Sequence, residues 1–260
     1  MSTPHIHFER RGKHREIAVI RLTRASKRNA LNDGLILAIR DLFEKMPEGV
    51  RAAVIDGEGE HFCAGLDLSE LKERDAGQGL HHSRMWHAAL ERVQFGPVPV
   101  IAALHGAVVG GGLELASACH IRVADETTFY ALPEGTRGIF VGGGGAVRIP
   151  RLIGTARMAD MMFTGRVYNA QDGERIGLAQ YLVAPGTAFD KAFELALRVA
   201  ENAPLTNYAL IHALPRIAEQ PADQGYLTEA LMAGIAQSAP EAKQRVRAFL
   251  DGKAAKVKKS

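Results

Sequence analysis

The sequence predicts an α/β fold, and three observations carry the prediction. Short apolar runs of strand character alternate with segments of helical periodicity over the first two thirds of the chain. Beyond about residue 155 the patterns are helical. The length, 260 residues with 47% hydrophobic content, is enough for one large core with a smaller appended region. In chain order, HIHFERRG and EIAVIRL read as two strands joined by a turn. NDGLILAIRDLFEKM carries Leu35, Ile39, Leu42, Phe43 and Met46 at helical spacing, with Asn32 and Asp33 as starters and Pro47 as a stop. RAAVIDG reads as a buried strand that ends in the loop GEGEHFCAGLDL, and residues 83–95 as a helix. VPVIAALHG is a continuous apolar run bounded by Pro97 and Gly106, the pattern of a strand buried on both faces. LELASACH reads as a small-sided helix, IRVAD and TTFYAL as strands, GTRGIFVGGGG as a long glycine-rich loop, and AVRIPRLIG as a return to helix. TARMADMMFTG, DKAFELALRVAENA, LTNYALIHALPRIAE, YLTEALMAGIA and PEAKQRVRAFLDG are helical, so a helical region closes the chain.

Composition narrows the class. No run reaches the roughly 18–20 apolar residues of a membrane span, and the N-terminus MSTPHIHFERRGKHRE lacks the apolar segment of a signal peptide. Two cysteines, Cys63 and Cys119, make no disulfide framework, so a reducing cytoplasm is the expected location. The net charge of +3 and pI of about 8.9 are mildly basic and do not by themselves mark a nucleic-acid binder. Part of the excess sits in the tail KAAKVKKS, with Lys253, Lys256, Lys258 and Lys259. It reads as a solvated terminus, or as a cationic arm for a phosphate-bearing ligand or a neighbouring subunit.

The glycine clusters fail the common nucleotide motifs. There is no G-x-x-x-x-G-K-[ST]; G-x-G-x-x-G ends on Leu115 when started at Gly110, and on Val147 or Arg148 when started at Gly142 or Gly143. G-x-S-x-G and H-E-x-x-H are also missing. His81, His82 and His87 cluster, but no two are four residues apart, and a solvated or pocket-lining helix face suits them better than a metal site. HGAVVGGGLELA (105–116) places Gly110, Gly111 and Gly112 between a strand and a helix, where a ligand can approach the backbone and unpaired N–H groups point outward. Tight helix–strand packing explains the same glycines. HFCAGLDLSEL (61–71) offers a second such turn at Gly65, and two converging N–H groups make an oxyanion hole. Glu114 follows the triple glycine and Glu134 lies twenty positions on in LPEGTRGIFVGGGG; two carboxylates beside two donor loops suit proton transfer near a polarised carbonyl. Taken singly, Glu114 also fits a helix-start charge and Glu134 a turn residue.

With these blocks in view the chain resembles the crotonase, or enoyl-CoA hydratase/isomerase, superfamily. The resemblance runs from KRNAL (27–31) through HFCAGLDL (61–68), PVIAALHGAVVGGGLELASACHIRVAD (99–125) and FYALPEGTRGIFVGGGGAVRIPRLIG (129–154) to FTGRVYNAQDGERIGLAQYLV (163–183), five blocks in order over nearly the whole chain. It implies a crotonase (ClpP-like) spiral of strand–strand–helix units over residues 1–200. Residues 201–260 then form a C-terminal helical trimerisation region that packs on the core and on a neighbouring subunit of a homotrimer or hexamer. It implies that the N–H groups of Leu66 and Gly111 hold the thioester oxygen of an acyl-CoA, and that Glu114 and Glu134 are the catalytic carboxylates of a 2-enoyl-CoA hydratase. Ala25, Lys27, Ala64, Gly65, Leu66, Asp67, Leu68, Gly111 and Gly142 fall on its substrate-binding segments, with Lys27 and Arg28 near the coenzyme A phosphates. Coenzyme A enters as part of the substrate, with no separate cofactor or metal, and neither nucleic acid nor membrane is an expected partner.

The chain departs from the family pattern at several places. Residues 138–142 read Gly-Ile-Phe-Val-Gly where G-x-x-P-G is common; His120 stands where an Asp often follows the cysteine; Arg137 and Tyr130 replace apolar and small residues. The loop changes bear on the pocket and therefore on the substrate. Residues 81–95, with Trp86 and the histidines, read either as a wall of the acyl pocket or as an ordinary amphipathic helix. The family reuses its oxyanion hole for isomerisation and thioester hydrolysis, which compete with hydration, and a non-catalytic coenzyme A- or RNA-binding protein is the alternative of a different class.

Overall fold

The computed structural model describes residues 5–70 and 73–253, which divide after Ala200 into two compact units. The first unit opens with β1 (Ile6–Arg11) and β2 (Ile17–Leu22), then α1 (Asp33–Glu44), β3 (Ala52–Gly57) and α2 (Ala76–Gln94). Next come β4 (Val100–Leu104), β5 (Ala107–Val109) and α3 (Gly111–Ala118), then β6 (Ile121–Asp125), β7 (Phe129–Ala131), α4 (Gly145–Ile153) and α5 (Thr155–Thr164). It ends with β8 (Tyr168–Asn169), α6 (Ala170–Ile176), β9 (Tyr181–Val183) and α7 (Ala188–Glu201).

Six strands form a sheet in the order β1-β2-β3-β4-β6-β9, parallel except for the β1–β2 pair. Its central strands β2, β3 and β4 read as largely apolar runs because both faces are covered. Side chains alternate between the faces: Ala18, Ile20 and Leu22 join a core with Leu35, Ile36, Ile39, Leu90 and Val93 of α1 and α2. Ile17, Val19, Val54, Ile101 and Val123 face Ala192, Leu195 and Ala196 of α7. A second sheet, β5-β7-β8, takes one strand from each of two successive units, β4–β5–α3 and β6–β7–α4, giving the strand–strand–helix pattern.

Three short strands escape the sequence patterns. VPVIAALHGAVV is two strands, because the chain turns at Gly106 (φ +53), where a Cβ would lie 2.0 Å from Glu60 O. β8 and β9 are too short for a period-2 signal to stand out in a largely helical stretch. The helix expected over 83–95 begins earlier, at Ala76, where Asp75 and Gln78 close a capping box. The second unit contains α8 (Pro204–His212), α9 (Leu214–Ile217), α10 (Ala222–Ser238) and α11 (Pro240–Leu250). The tail lysines 256, 258 and 259 lie outside the described residues. Among the described residues no helix is long and apolar enough to cross a membrane.

Asn29, fully buried at φ +55, ties the segment before α1 to the loop after β3. Its Oδ1 accepts from Arg24 N at 2.9 Å, and its Nδ2 donates to Glu58 O at 2.9 Å and His61 O at 2.7 Å. The Asn29→Ala variant strands these groups and puts a Cβ-bearing residue that lacks local hydrogen bonding at positive φ. Urea unfolding is expected to show a loss of about 2–4 kcal/mol, with Asn29→Gly recovering the part due to backbone strain.

Candidate active site

The site is built by bringing two glycine turns together. The strand-like segment at Cys63 pairs with β5: Cys63 N donates to Ala107 O at 2.9 Å and Val109 N to Cys63 O at 3.1 Å. On its other side Leu31 N donates to Gly65 O at 2.7 Å and Asp67 N to Leu31 O at 2.8 Å. In such a parallel bridge the N–H of the central residue, Leu66, points away from Leu31. It points toward α3: a methyl group built on Gly111 would lie 3.6 Å from Leu66 N and 3.4 Å from Trp86 Cζ3.

No side chain fits between the two turns. A Cβ on Gly112 would lie 2.3 Å from Cys63 O, and one on Gly65 (φ +96) 2.8 Å from Val109 O. Gly110, at φ +53 and ψ −122, adopts a backbone conformation that side chains avoid, and a Cβ there would meet Glu134 Oε1 at 2.5 Å. Gly111 is the first residue of α3, so its N–H is one of the donors that a helix start leaves free.

The second glycine run has a separate task. Gly143 N and Gly145 N each donate to Glu114 Oε1 at 2.8 Å. A Cβ on Gly145 would lie 2.8 Å from that same oxygen, and one on Gly143 3.0 Å from Oε2. The loop is held in turn by Arg148, whose guanidinium donates to Gly143 O at 2.9 Å and Gln94 Oε1 at 2.7 Å. This cradle was not expected from the sequence; the run of four glycines within two helical turns of an apolar segment was its signal.

Glu114 is 4% exposed, and burial raises its pKa against the pull of the two N–H groups and the Arg148 charge. Glu134 follows β7 at the start of a short turn, and its Oε2 is buried with no hydrogen-bond partner among the described residues. Burial, and secondarily the charge of Glu114, pushes its carboxyl up to about 7.

Both carboxylates line one cavity of about 130 Å³ together with Leu66, Gly111, Trp86, His82, Arg74 and residues 139–143. The indole of Trp86 is 4% exposed and lies against both glycine segments, its Cε3 being 3.3 Å from a Cβ position on Gly143. Asp33 Oδ1, at the start of α1, accepts from Trp86 Nε1 at 2.9 Å and lies 2.7 Å from His82 Nε2. Burial opposes ionisation of Asp33, but these hydrogen bonds and the nearby Arg74 charge outweigh it and hold the carboxyl below its ordinary value. Residues 81–95 thus form a pocket wall through His82 and Trp86. His87 lies 3.2 Å from Ser83 Oγ, which donates to Gly142 O at 2.6 Å.

The remaining sequence candidates fall around this centre. Ala25 and Lys27 form an exposed turn, and Leu68 is exposed on the far side of Gly65. Asp67 is buried and structural: its Oδ1 accepts from Ser69 Oγ at 2.6 Å and Ser69 N at 3.0 Å. Its Oδ2 lies 2.6 Å from the Arg24 guanidinium, and the carboxyl is lowered to about 2, chiefly by the Ser69 hydrogen bonds. Gly142 lines the cavity. Of the departures, Arg137 is exposed; Tyr130 is buried against Gly173, where a Cβ would lie 2.2 Å from the ring; and His120 accepts from Val100 N at 3.0 Å. Cys63 and Cys119 are buried free thiols, each raised by burial to about 12.

Two glycine turns and two carboxylates on one cavity are an arrangement that can stabilise charge on an oxygen while protons move nearby. Residues 12–259 match the family model "Enoyl-CoA hydratase/isomerase", and the chain belongs to that family. A solved structure from Rhodopseudomonas palustris CGA009 is 59% identical with a TM-score of 0.93, each chain covering 98% of the other. The crystal structure of enoyl-CoA hydratase from Bacillus anthracis is 30% identical with a TM-score of 0.88, covering 96% of this chain and 97% of that one. The short-chain-enoyl-CoA hydratase of Clostridium acetobutylicum is 30% identical over 254 residues, 96% of both chains. The fold is that of the crotonases, and the chain is an enzyme of this family.

Gly65→Ala tests the apposition of the two turns. Backbone strain at this φ costs about 1–3 kcal/mol of stability. Displacement of the adjacent Leu66 donor is expected to lower acyl-CoA turnover by about 10²–10³-fold, with the circular dichroism spectrum of the folded protein retained.

Proposed function

We propose that this chain is an enoyl-CoA hydratase that adds water across the C2–C3 double bond of a 2-enoyl-CoA thioester. The observation that carries the reading is the unequal treatment of two carboxylates in one cavity. Glu114 has two backbone N–H donors on one oxygen, which favours its ionised form. Glu134 has an unpartnered oxygen and holds its proton up to about pH 7. Glu114 therefore orients the attacking water and takes its proton as the oxygen bonds to C3. Electrons move to the thioester oxygen, where Leu66 and Gly111 N–H groups stabilise the enolate. As the carbonyl reforms, C2 takes the proton of Glu134, and transfer of a proton from Glu114 back to Glu134 resets the pair. Coenzyme A comes with the substrate and the steps use no further cofactor. Lys27, Arg28 and the segment Ala64–Leu68, set beside the oxyanion donors, are where its phosphates and pantetheine arm bind.

The protein acts as a homotrimer or hexamer in this reading. Tyr226, Leu227, Leu231 and Ile235 of α10 and Val246, Phe249 and Leu250 of α11 are exposed apolar side chains that an isolated chain leaves in water. Light scattering is expected to return a trimer or a multiple of it, and a stable monomer contradicts the assembly.

The function is tested by loss of the conjugated-thioester absorbance with crotonyl-, longer enoyl- and cinnamoyl-type esters. Wild type is expected to form 3-hydroxyacyl-CoA, and Glu114→Gln and Glu134→Gln each to lower kcat by about 10²–10⁴-fold. An isomer or free acid as the product replaces hydration with another reaction of the family. The pH profile assigns the roles: with Glu134 as the acid, kcat/KM falls as pH rises through about 7. A fall toward low pH with that same midpoint makes Glu134 the base.

A further inference from the structure

Arg148, in α4, is a charged side chain only 7% exposed. Its Nε donates to Gln94 Oε1 at 2.7 Å, at the end of α2, and its Nη1 to Gly143 O at 2.9 Å. Both acceptors are neutral, so they satisfy N–H groups and leave the charge to be balanced from further away. Burial lowers the Arg148 pKa, and Glu114 comes first among the groups that raise it, ahead of the exposed Glu91 of α2. Gly143 joins cation to anion: its O accepts from the guanidinium, and its N donates to Glu114 Oε1 at 2.8 Å. Gly144, at φ +95, lies against the guanidinium, where a side chain would strike Nη1. The loop has further ties that do not involve the guanidinium. Ser83 Oγ donates to Gly142 O at 2.6 Å, at the other end of the peptide that carries the Gly143 N–H, and Gly145 N holds Glu114 as well. What Arg148 adds to these ties is its charge.

The other titratable groups around Glu114 act differently. Glu134 shares its cavity and its charge opposes a second anion, while His82 and Arg74 line the same cavity. Cys63, packed on α3 at Gly112, and Cys119, at the end of α3, are thiols raised to about 12 and therefore neutral, and β5 brings no titratable group. Burial, Arg84 and Arg148 together lower His87 of α2.

We propose that Arg148 is a positioning residue for the base: it supplies the buried positive charge that keeps Glu114 an anion, and it aims the loop whose N–H groups hold that anion. The inference rests on the reading of Glu114 as the base and adds the residue that keeps a buried carboxylate ionised.

The test follows Glu114 directly, by carbon-13 NMR of the glutamate carboxyl carbons, beside hydration kinetics. In Arg148→Gln the Glu114 midpoint is expected to rise above its wild-type value, because the amide can donate a hydrogen bond but carries no charge. Its kcat at pH 7 is expected to fall about 10- to 100-fold with KM changed less, and the low-pH limb of kcat to move up with the carboxyl. Arg148→Lys keeps the charge and is expected to return both toward their wild-type positions. A merely structural role has the opposite sign: a loosened loop admits water, and Glu114 then titrates lower, nearer the ordinary 4.5. Such a fall, or an unchanged midpoint, overturns the proposal. Should Arg148→Gln not fold, the wild type decides. Its Arg148 Nε–H resonance, assigned with Arg148→Lys, is expected to follow pH with the Glu114 midpoint, and a resonance that stays flat through it overturns the proposal. A raised Glu114 midpoint in a protein that hydrates no enoyl ester keeps the pairing of Arg148 with Glu114 and overturns the hydratase reading; hydration with an unmoved Glu114 does the reverse.

Discussion

Two carboxylates are withdrawn from water, one in the first turn of α3 and one at the start of the turn after β7, and only the first has two backbone donors on a single oxygen among the described residues. Glu114 accepts two backbone hydrogen bonds on a single oxygen, while an oxygen of Glu134 is buried with no partner among the described residues. Desolvation raises both; two N–H groups favour the anion at Glu114, while at Glu134 a backbone hydrogen bond and the Arg137 charge do so without keeping the carboxyl below about 7. In the proposed mechanism the first accepts a proton and the second gives one. The charge of Glu114 is itself one reason that Glu134 keeps its proton.

That asymmetry depends on backbone approaching backbone. The turn at Gly65 and the turn at Gly110–Gly112 come so close that a methyl group added at Gly65, Gly110 or Gly112 meets a carbonyl or a Glu134 oxygen. The parallel bridge between Cys63 and Val108 sets the distance, and the second sheet sets the bridge, since β5 pairs with β7 in register Ala107 to Phe129. Glu134 follows β7 by three residues, so the pairing that sets the two glycine turns also places Glu134. The six-stranded sheet, whose central strands are buried on both faces, supplies a rigid frame for these short and unusual segments.

Much of this was legible in the sequence. The long elements were readable because burial on both faces makes β4 apolar throughout and β2 and β3 apolar but for Arg21 and Asp56, and because α1 presents a clean helical stripe after a good cap. Glu114, Glu134 and the glycine turns at 65 and 110–112 stood out as isolated acids beside clustered glycines, and the family resemblance then pointed to Leu66 and Gly111. What was not legible depends on contacts between distant segments. The Gly143–Gly145 cradle requires knowing that α4 starts beside α3; the His82–Asp33–Trp86 group joins two helices whose sequences show only ordinary amphipathicity. Asp67 stands among the substrate-binding segments in sequence, yet its oxygens are spent on Ser69 and Arg24, so its part is to hold the turn.

The most direct test is an NMR titration of the protein labelled with carbon-13 at the glutamate side-chain carboxyl carbon, with Glu134→Gln used to assign the resonance. The account predicts that Glu134 titrates near pH 7 in the wild type and that its midpoint falls in Glu114→Gln, where the neighbouring charge is gone. A Glu134 carboxyl that titrates near the ordinary value of 4.5 contradicts it, because the site would then hold two anions at neutral pH and no acid for C2.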